Sequence, residues 1–386
     1  TATGPDIPER IAEAELTVDR AGPDLRAAFV KGDELHIGFD EDFESVQASM
    51  FTVTVGDETL SILSVDQPSA QAAVFTLSRP VAAGETVTLT HAGNGIQDAL
   101  GNAAAAFDAH PVHNLARPEA DPDDDDHAEE AEGDFDFDDH GAFVGHFEVP
   151  RGDGVGPVRL SGAAGAVRVT PPADVSVEAT VSSPADDADA RADAADALID
   201  MSAGFSGRGA RRVSNEARAL EDGREMSVMQ LAPTHLGDGT GRLHLEVERD
   251  PGVLSMVGID ARGLGDDAQL SIADADLLQV SGKAEIELDG VATAVMDRAA
   301  QTVTVSSSVG SDPVALFAGG GQDQITLSGL TGRTRVDLGA GRDVIVSTGY
   351  SADEVFGGFG DDEIHSGRGR DVIRAGRGAD VGYGEG

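Results

Sequence analysis

The sequence predicts a mainly β protein. An N-terminal β-sandwich is followed by a β-rich middle region with one helix and a C-terminal parallel β-roll. Three observations carry this expectation. Short alternating apolar runs recur about every ten residues in the N-terminal part. Strand-like runs continue through the middle without an obvious break. At the C-terminal end nonapeptides of one pattern lie back to back.

The first unit covers residues 1–116. Its alternating runs are Ala14–Asp19, Glu34–Phe39, Phe51–Val55, Leu60–Val65, Ala73–Leu77 and Thr86–His91. Turns such as Lys31-Gly32-Asp33 and Val55-Gly56-Asp57 separate them. Period-two alternation places one face of each strand toward a core and the other toward water. Three segments, Phe51-Thr52-Val53-Thr54-Val55, Val81-Ala82-Ala83-Gly84-Glu85-Thr86-Val87-Thr88-Leu89 and Ile96-Gln97-Asp98-Ala99-Leu100-Gly101-Asn102, together resemble the Ig-like repeats of bacterial surface proteins, the SwmB-type family. The resemblance spans residues 12 to 115. It implies an Ig-like β-sandwich acting as a spacer or adhesion module, with no catalytic residues.

Residues 117–141 read as an acidic linker. From Asp121 to His140, 12 of 20 residues are Asp or Glu, a density that keeps a chain extended and solvated. Asp121, Asp123, Asp125 and Glu132 occupy positions one, three, five and twelve of an EF-hand loop. Asp126 stands where that loop needs glycine, and no amphipathic helix flanks it. The acidity of the run accounts for the match, leaving only weak attraction for calcium. His127, His140 and His146 lie among these carboxylates, as isolated exposed histidines commonly do.

Residues 142–316 form a β-rich domain of unknown role. Strand-like stretches fall at 158–160, 167–170, 175–181, 242–247, 269–272, 284–288 and 301–306. One helix is predicted from Pro184 to Met201, with Ser183 as N-cap and Pro184 at the first helical position. The later strands are expected to stack as a solenoid or sandwich that caps the roll. Arg151-Gly152-Asp153 spells an integrin-recognition tripeptide, which a chain rich in these residues produces by chance.

Residues 317–386 hold the repeats. Gly357-Gly358-Phe359-Gly360-Asp361-Asp362-Glu363-Ile364-His365 fits G-G-x-G-x-D-x-U-x throughout, U being a large apolar residue. Ser366–Arg374 loses only the first glycine, and Ala375–Tyr383 places Gly382 in the apolar slot, where the last coil is expected to fray. Weaker copies at Ala318–Thr326 and Leu338–Val346 keep Asp323 and Asp343. The pattern is a signature of the calcium-binding parallel β-roll. Glycines permit a tight turn with open carbonyls, the apolar residue stacks inward, and the aspartate supplies a hard oxygen ligand for Ca²⁺. The candidate metal residues are Asp323, Asp343, Gly358, Gly360, Asp362, Gly367, Gly369, Asp371, Gly376, Gly378 and Asp380. Two nonapeptides make one coil, so Asp362 and Asp380 belong on one side and Asp371 on the other. The half-turns at 327–337 and 347–356 fill the opposite side upstream. Without metal the stacked carboxylates repel and the glycines cost backbone entropy, so calcium binding is expected to be folding. Arg342, Arg368, Arg370, Arg374 and Arg377 sit at exposed repeat positions and are expected to bridge coils.

At these residues the chain resembles the RTX, or hemolysin-type calcium-binding repeat, family, over residues 318 to 384. The resemblance implies type I export and folding in a calcium-rich exterior, hence an extracellular or cell-surface location. It is silent on activity. The chain opens on Thr1 and stops at Gly384-Glu385-Gly386, as a fragment of a longer protein would.

Composition narrows the rest. With 27 basic and 70 acidic residues the net charge is −43, which disfavours nucleic acid and anionic membranes as partners. The absence of cysteine excludes disulfides and thiolate sites, and metal takes over the role of bridges. No apolar run reaches the length of a membrane span. With no Trp and two Tyr, an aromatic carbohydrate platform is not expected. Neither H-E-x-x-H nor G-x-S-x-G occurs, and no phosphate loop is present. The sequence therefore favours a non-enzymatic secreted protein, structural or adhesive, with calcium and cell-surface or matrix components as partners. The alternative is a secreted hydrolase or toxin fragment whose catalytic part lies in the middle region, around His235 and His244, or outside this chain.

Overall fold

The structure, a computed structural model, describes residues 21–116, 129–130, 133–137, 143–149, 158–161, 166–171, 174–183, 188–200, 208–220, 224–236, 241–248, 252–306 and 314–385. The strand expected at Ala14–Asp19, the EF-hand-like positions 121–126 and 132, His127, His140 and the tripeptide 151–153 lie outside the described residues.

The N-terminal unit is built on an eight-stranded sheet that packs over one main core. Its strand order is Glu58–Leu60, Phe51–Val55, Val87–His91, Phe107–Asn114, Leu25–Lys31, Glu34–Phe39, Ala72–Leu77 and Ile62–Asp66. A short pair, Ser45–Val46 with Ile96–Gln97, lies beside it. Alternation works as expected: along Phe51–Val55 the first, third and fifth residues are buried. Phe39, Val53, Phe75, Leu77, Leu89 and Ile96 meet in the centre. Phe75 is fully buried, its ring 5.0 Å from that of Phe51. Phe75→Ala is expected to cost about 3–5 kcal/mol through the cavity left behind. Thermal melting in chelator should show that loss in the sandwich transition alone.

The segment Ile96–Asn102 folds as its composition dictates. Asp98 Oδ1 accepts the N–H groups of Leu100 (2.9 Å) and Asn102 (2.7 Å), and Oδ2 accepts the Asn102 side-chain amide at 2.7 Å. Burial opposes ionisation of Asp98, but these hydrogen bonds win and hold its carboxyl below the usual range. His91 is a core histidine: Gly95 N–H donates to its Nε2 at 3.2 Å, so its Nδ1 carries the proton and donates to Ala105 O at 3.1 Å.

Part of the acidic run read as a solvated linker is a strand. Gly133–Phe137 pairs with Phe143–Val149. The alternation Asp134-Phe135-Asp136-Phe137 puts both phenylalanines on one face. Phe135 and Phe137 pack on Phe29 of the sandwich, with ring centroids 6.2 and 5.3 Å away.

From there two eleven-stranded sheets run to the C-terminal end of the described chain. The first sheet opens on a short parallel pair, Glu129–Glu130 with Val158–Ser161, and both sheets then run antiparallel, as in the pairing of Val175–Ser183 with Glu225–His235. From the pairs Glu225–His235 with Val253–Asp260 and Arg242–Val247 with Gln269–Ala273 onward, every neighbour is parallel. The expected solenoid is thus present, and the boundary drawn at 316/317 falls within both sheets. Inward apolar residues stack rung on rung. One ladder is Leu243, Leu270, Ile286, Val303, Ile325, Ile345 and Ile364, ending at Gly382. The facing one is Val257, Leu278, Ala294, Leu316, Val336, Val355 and Ile373. At about 25 cal/mol per Å² of apolar surface, such ladders are the main driving force for stacking coils. In the last coil Ile373 is only partly buried and Gly382 brings no side chain to the ladder, so this end contributes least.

The predicted single helix is a correction. Among the described residues there are two, α1 (Ala188–Asp200) and α2 (Arg208–Ala219). The predicted start at 184–187 lies outside the described residues, and Ser183 ends a strand. Ala194, Ala195 and Leu198 of α1 and Val213 and Ala217 of α2 cover Met226, Val228, Leu254, Met256, Leu277, Val295 and Phe317 on the outer face of the second sheet. Among the described residues no helix is long and apolar enough to cross a membrane.

Candidate metal centre

In a strand, residues two apart share a face. The repeat puts aspartate at position six and the apolar residue at position eight, so both point into the roll. A carboxylate is thereby drawn beside the apolar ladder. Asp323 and Asp343 are fully buried, and Asp353 and Asp362 are 1% exposed.

The aspartates form two ladders. In the first, Asp323 N–H donates to Asp343 Oδ1 (2.8 Å), Asp343 N–H to Asp362 Oδ1 (3.0 Å) and Asp362 N–H to Asp380 Oδ1 (3.1 Å). The rungs are 20, 19 and 18 residues apart, so the coil tightens toward the regular repeat. In the second, Asp353 N–H donates to Asp371 Oδ1 at 3.1 Å across 18 residues. Asp362 and Asp380 therefore share one side and Asp371 lies on the other, as the spacing predicts. The half-turns 327–337 and 347–356 do supply the opposite strands, Arg333–Asp337 and Ala352–Phe359.

In Asp323, Asp343 and Asp362 one carboxylate oxygen is engaged and the other is not. Oδ2 of Asp323, Asp343 and Asp362 is buried with no hydrogen-bond partner, as are both oxygens of Asp353. Burial, and then the charge of neighbouring aspartates, raises Asp323 to about 8 and Asp343 to about 6, against the opposing pull of one backbone N–H each. Burial likewise raises Asp362 and Asp353. The hydroxyls of Ser351, Ser347 and Thr334 oppose the rise at Asp353 but reach no well-formed hydrogen bond with it. A buried, half-satisfied carboxylate is costly unless a cation completes its shell.

The turns supply the remaining oxygens. Gly358, Gly360, Gly367, Gly369, Gly376 and Gly378 all have positive φ, from 70° to 151°. A Cβ on Gly357 would lie 2.0 Å from Ala375 O and 2.9 Å from Asp362 Oδ2. On Gly369 it would lie 1.9 Å from Ser351 O and 3.0 Å from Asp371 Oδ1. Carbonyls and carboxylates thus border the same small spaces between coils. Among the described residues no three His, Asp or Glu side chains converge as a metal cluster. The donor set is one or two carboxylates with turn carbonyls, all oxygen, which suits Ca²⁺ rather than a transition metal. Gly360→Ala tests the cradle: at φ 138° its Cβ would sit 1.4 Å from Gly341 O. A loss of about 3 kcal/mol or more is expected, read as a rise in the calcium needed for folding.

Sequence reasoning missed Asp353. Thr348-Gly349-Tyr350-Ser351-Ala352-Asp353-Glu354-Val355-Phe356 keeps glycine at position two, aspartate at six and valine at eight. Serine at position four hid it, although Asp353 precedes Asp371 by one coil. The upstream limit of the first ladder was also illegible. There Gln301 N–H donates to Asp323 Oδ1 at 2.9 Å, so a neutral amide replaces the next carboxylate. Asp297 accepts Gly282 N–H and the Gln301 side-chain amide, closing that turn without a cation. Of the arginines, Arg374 pairs with Glu354 one coil away and lies over the Phe356 ring. His235 meets Asp174 at 2.9 Å and His244 meets Ser271 at 3.1 Å, on strands of different sheets.

Comparison with known families gives two matches. A family described as an RTX calcium-binding nonapeptide repeat (4 copies) matches residues 347–382, and a putative flagellar system-associated repeat, the SWM repeat, matches residues 18–94. The first includes the half-turn that carries Asp353. Comparison with curated proteins gives no match. Among solved structures, the N-terminal part of the bacterial S-layer protein SbsC is 12% identical, with TM-score 0.23, over 42% of this chain and 40% of that one. A longer piece of the same S-layer protein is 12% identical, with TM-score 0.22, over 42% and 23%. The aligned region is thus less than half of either, and likeness this low carries no argument. The chain has RTX calcium-binding repeats at its C-terminal end and an SWM repeat at its N-terminal end.

Proposed function

We propose that the chain is the structural or adhesive part of a secreted calcium-binding protein, exported unfolded by a type I system and folded by Ca²⁺ at the cell surface or outside it. Asp323, Asp343, Asp353, Asp362, Asp371 and Asp380 are the proposed carboxylate ligands, with carbonyls of the glycine turns completing each shell. Bound Ca²⁺ would supply the positive charge that two stacked carboxylate ladders lack. The carrying observation is the set of buried, unpartnered Oδ2 atoms beside those turns. A roll of this kind is a rod whose assembly depends on its surroundings, which suits a spacer or surface module better than a catalytic centre. The SWM repeat ahead of it supports the same reading.

The test is calcium affinity. Ca²⁺ titration calorimetry should place the midpoint at about 10⁻⁴–10⁻³ M, the range of extracellular modules, so that the chain stays unfolded at cytosolic calcium. A nanomolar midpoint, or no heat of binding, would contradict export in the unfolded state.

A further inference from the structure

The chain has no tryptophan and two tyrosines, and the structure brings both to one place. Tyr350 and Tyr383 line a cavity of about 320 Å³ on the outer side of the last coils, together with His365, Arg368 and Glu385. The topology makes this meeting. Val346, His365 and Tyr383 are successive rungs of one row across the first sheet, and Tyr350 and Arg368, at the end of the strand Glu363–Arg368, lie 18 residues apart. The Tyr383 ring stacks on His365, with centroids 4.5 Å apart and planes within 17°. Arg368 Nη1 donates to the Tyr350 hydroxyl at 3.0 Å, its guanidinium lies 5.7 Å from that ring's centroid, and its Nε is 3.6 Å from Glu385 Oε2. His365 is held from behind by Glu363 Oε1 at 2.9 Å. Yet Tyr350 is 68% and Tyr383 52% exposed.

From this juxtaposition we infer that the pocket is a binding site for an uncharged glycan. Exposed aromatic faces carry partial negative charge and accept the polarised C–H face of a pyranose ring. The guanidinium fork and a carboxylate beside it offer paired donors and acceptors to neighbouring hydroxyls. The volume lies at the lower end of ligand pockets, with room for a short stretch of saccharide. Arg368 is offset by Glu385, and the chain's charge of −43 repels acidic polymers, so the ligand class is neutral. Residues 348–349 and 367–368 both line the pocket and belong to the repeats that carry Asp353 and Asp371. Glycan binding therefore rests on the calcium-folded roll and gives the proposed adhesive role a chemical partner.

The test is affinity electrophoresis of calcium-loaded protein, its fold first checked by far-UV circular dichroism, in gels containing dextran, galactomannan or xylan, with alginate as an acidic control. Tyrosine fluorescence is read in parallel, because both tyrosines report on this pocket. At least one neutral polymer should retard the chain and change the fluorescence. Tyr383→Ala should weaken binding about tenfold or more, whereas Tyr383→Phe should retain it. Arg368→Ala, a surface change, gives the same answer if Tyr383→Ala fails to fold. Folded protein that ignores all neutral polymers, binds only alginate, or binds equally well after both alanine substitutions would overturn the inference and leave the calcium account standing.

Discussion

Alanine at both Asp362 and Asp371 is expected to raise the calcium midpoint by about 10–100-fold or more, a loss that even outer-shell changes cause at metal sites, and to leave the last coils unfolded at moderate calcium. One substitution removes the third rung of the first ladder and the other the terminal rung of the second, so both sides of the roll lose a ligand. Asp362→Ala also takes away the acceptor for Asp343 N–H, which is buried, and a buried donor left unpaired is costly. Asp353→Ala alone should shift the midpoint in the same direction, since Asp353 stacks on Asp371. Calcium uptake by calorimetry and β content by circular dichroism measure both effects. The sandwich has its own core around Phe75, and its melting should not move. Equal calcium uptake by wild type and the double variant would show that the ligands lie elsewhere.

Acid is expected to substitute in part for calcium. In the metal-free roll Asp323 is raised to about 8 and Asp343 to about 6, each from an ordinary value of 3.8. The folded chain then holds more protons than the unfolded one between these values. Stability falls with rising pH wherever that is so. The contribution is complete below about pH 4 and is lost as pH climbs through 6 and then 8. In chelator, the β signal should therefore be larger at pH 5 than at pH 8.5. With calcium present the sign reverses, because protons compete with the metal for the same oxygens. A metal-free signal that is flat, or that grows with pH, would mean these carboxylates are not buried as described.

The roll was the most legible part of the fold because its chemistry is periodic. Glycine at two and four, aspartate at six and an apolar residue at eight each answer a local geometric demand, and the demand recurs every coil. Where one position changes, the signal fades before the structure does. Ser351 replaces the second glycine of its half-turn, and that sufficed to conceal Asp353. The sandwich was legible from alternation alone, as at Phe51–Val55. Helix α2 was not, because Arg208–Ala219 is polar on most of its circumference and buries only Val213 and Ala217, four residues apart on one face. Upstream coils were hard to place because turns such as Asp297–Gln301 are closed by side-chain hydrogen bonds rather than by glycine and metal. The tyrosine pocket had no local signature, since only the coil period brings Tyr350 near Tyr383.

A calcium titration of the whole chain, followed by far-UV circular dichroism with chelator reversal and a magnesium control, decides whether calcium folds the roll. Calcium-driven folding of the roll predicts a cooperative, reversible gain of β signal with calcium and none with magnesium, over a constant background from the sandwich. Tyrosine fluorescence should change at the same midpoint, because both tyrosines lie in the last coils. A full β signal in chelator at neutral pH, unchanged by added calcium, would contradict it.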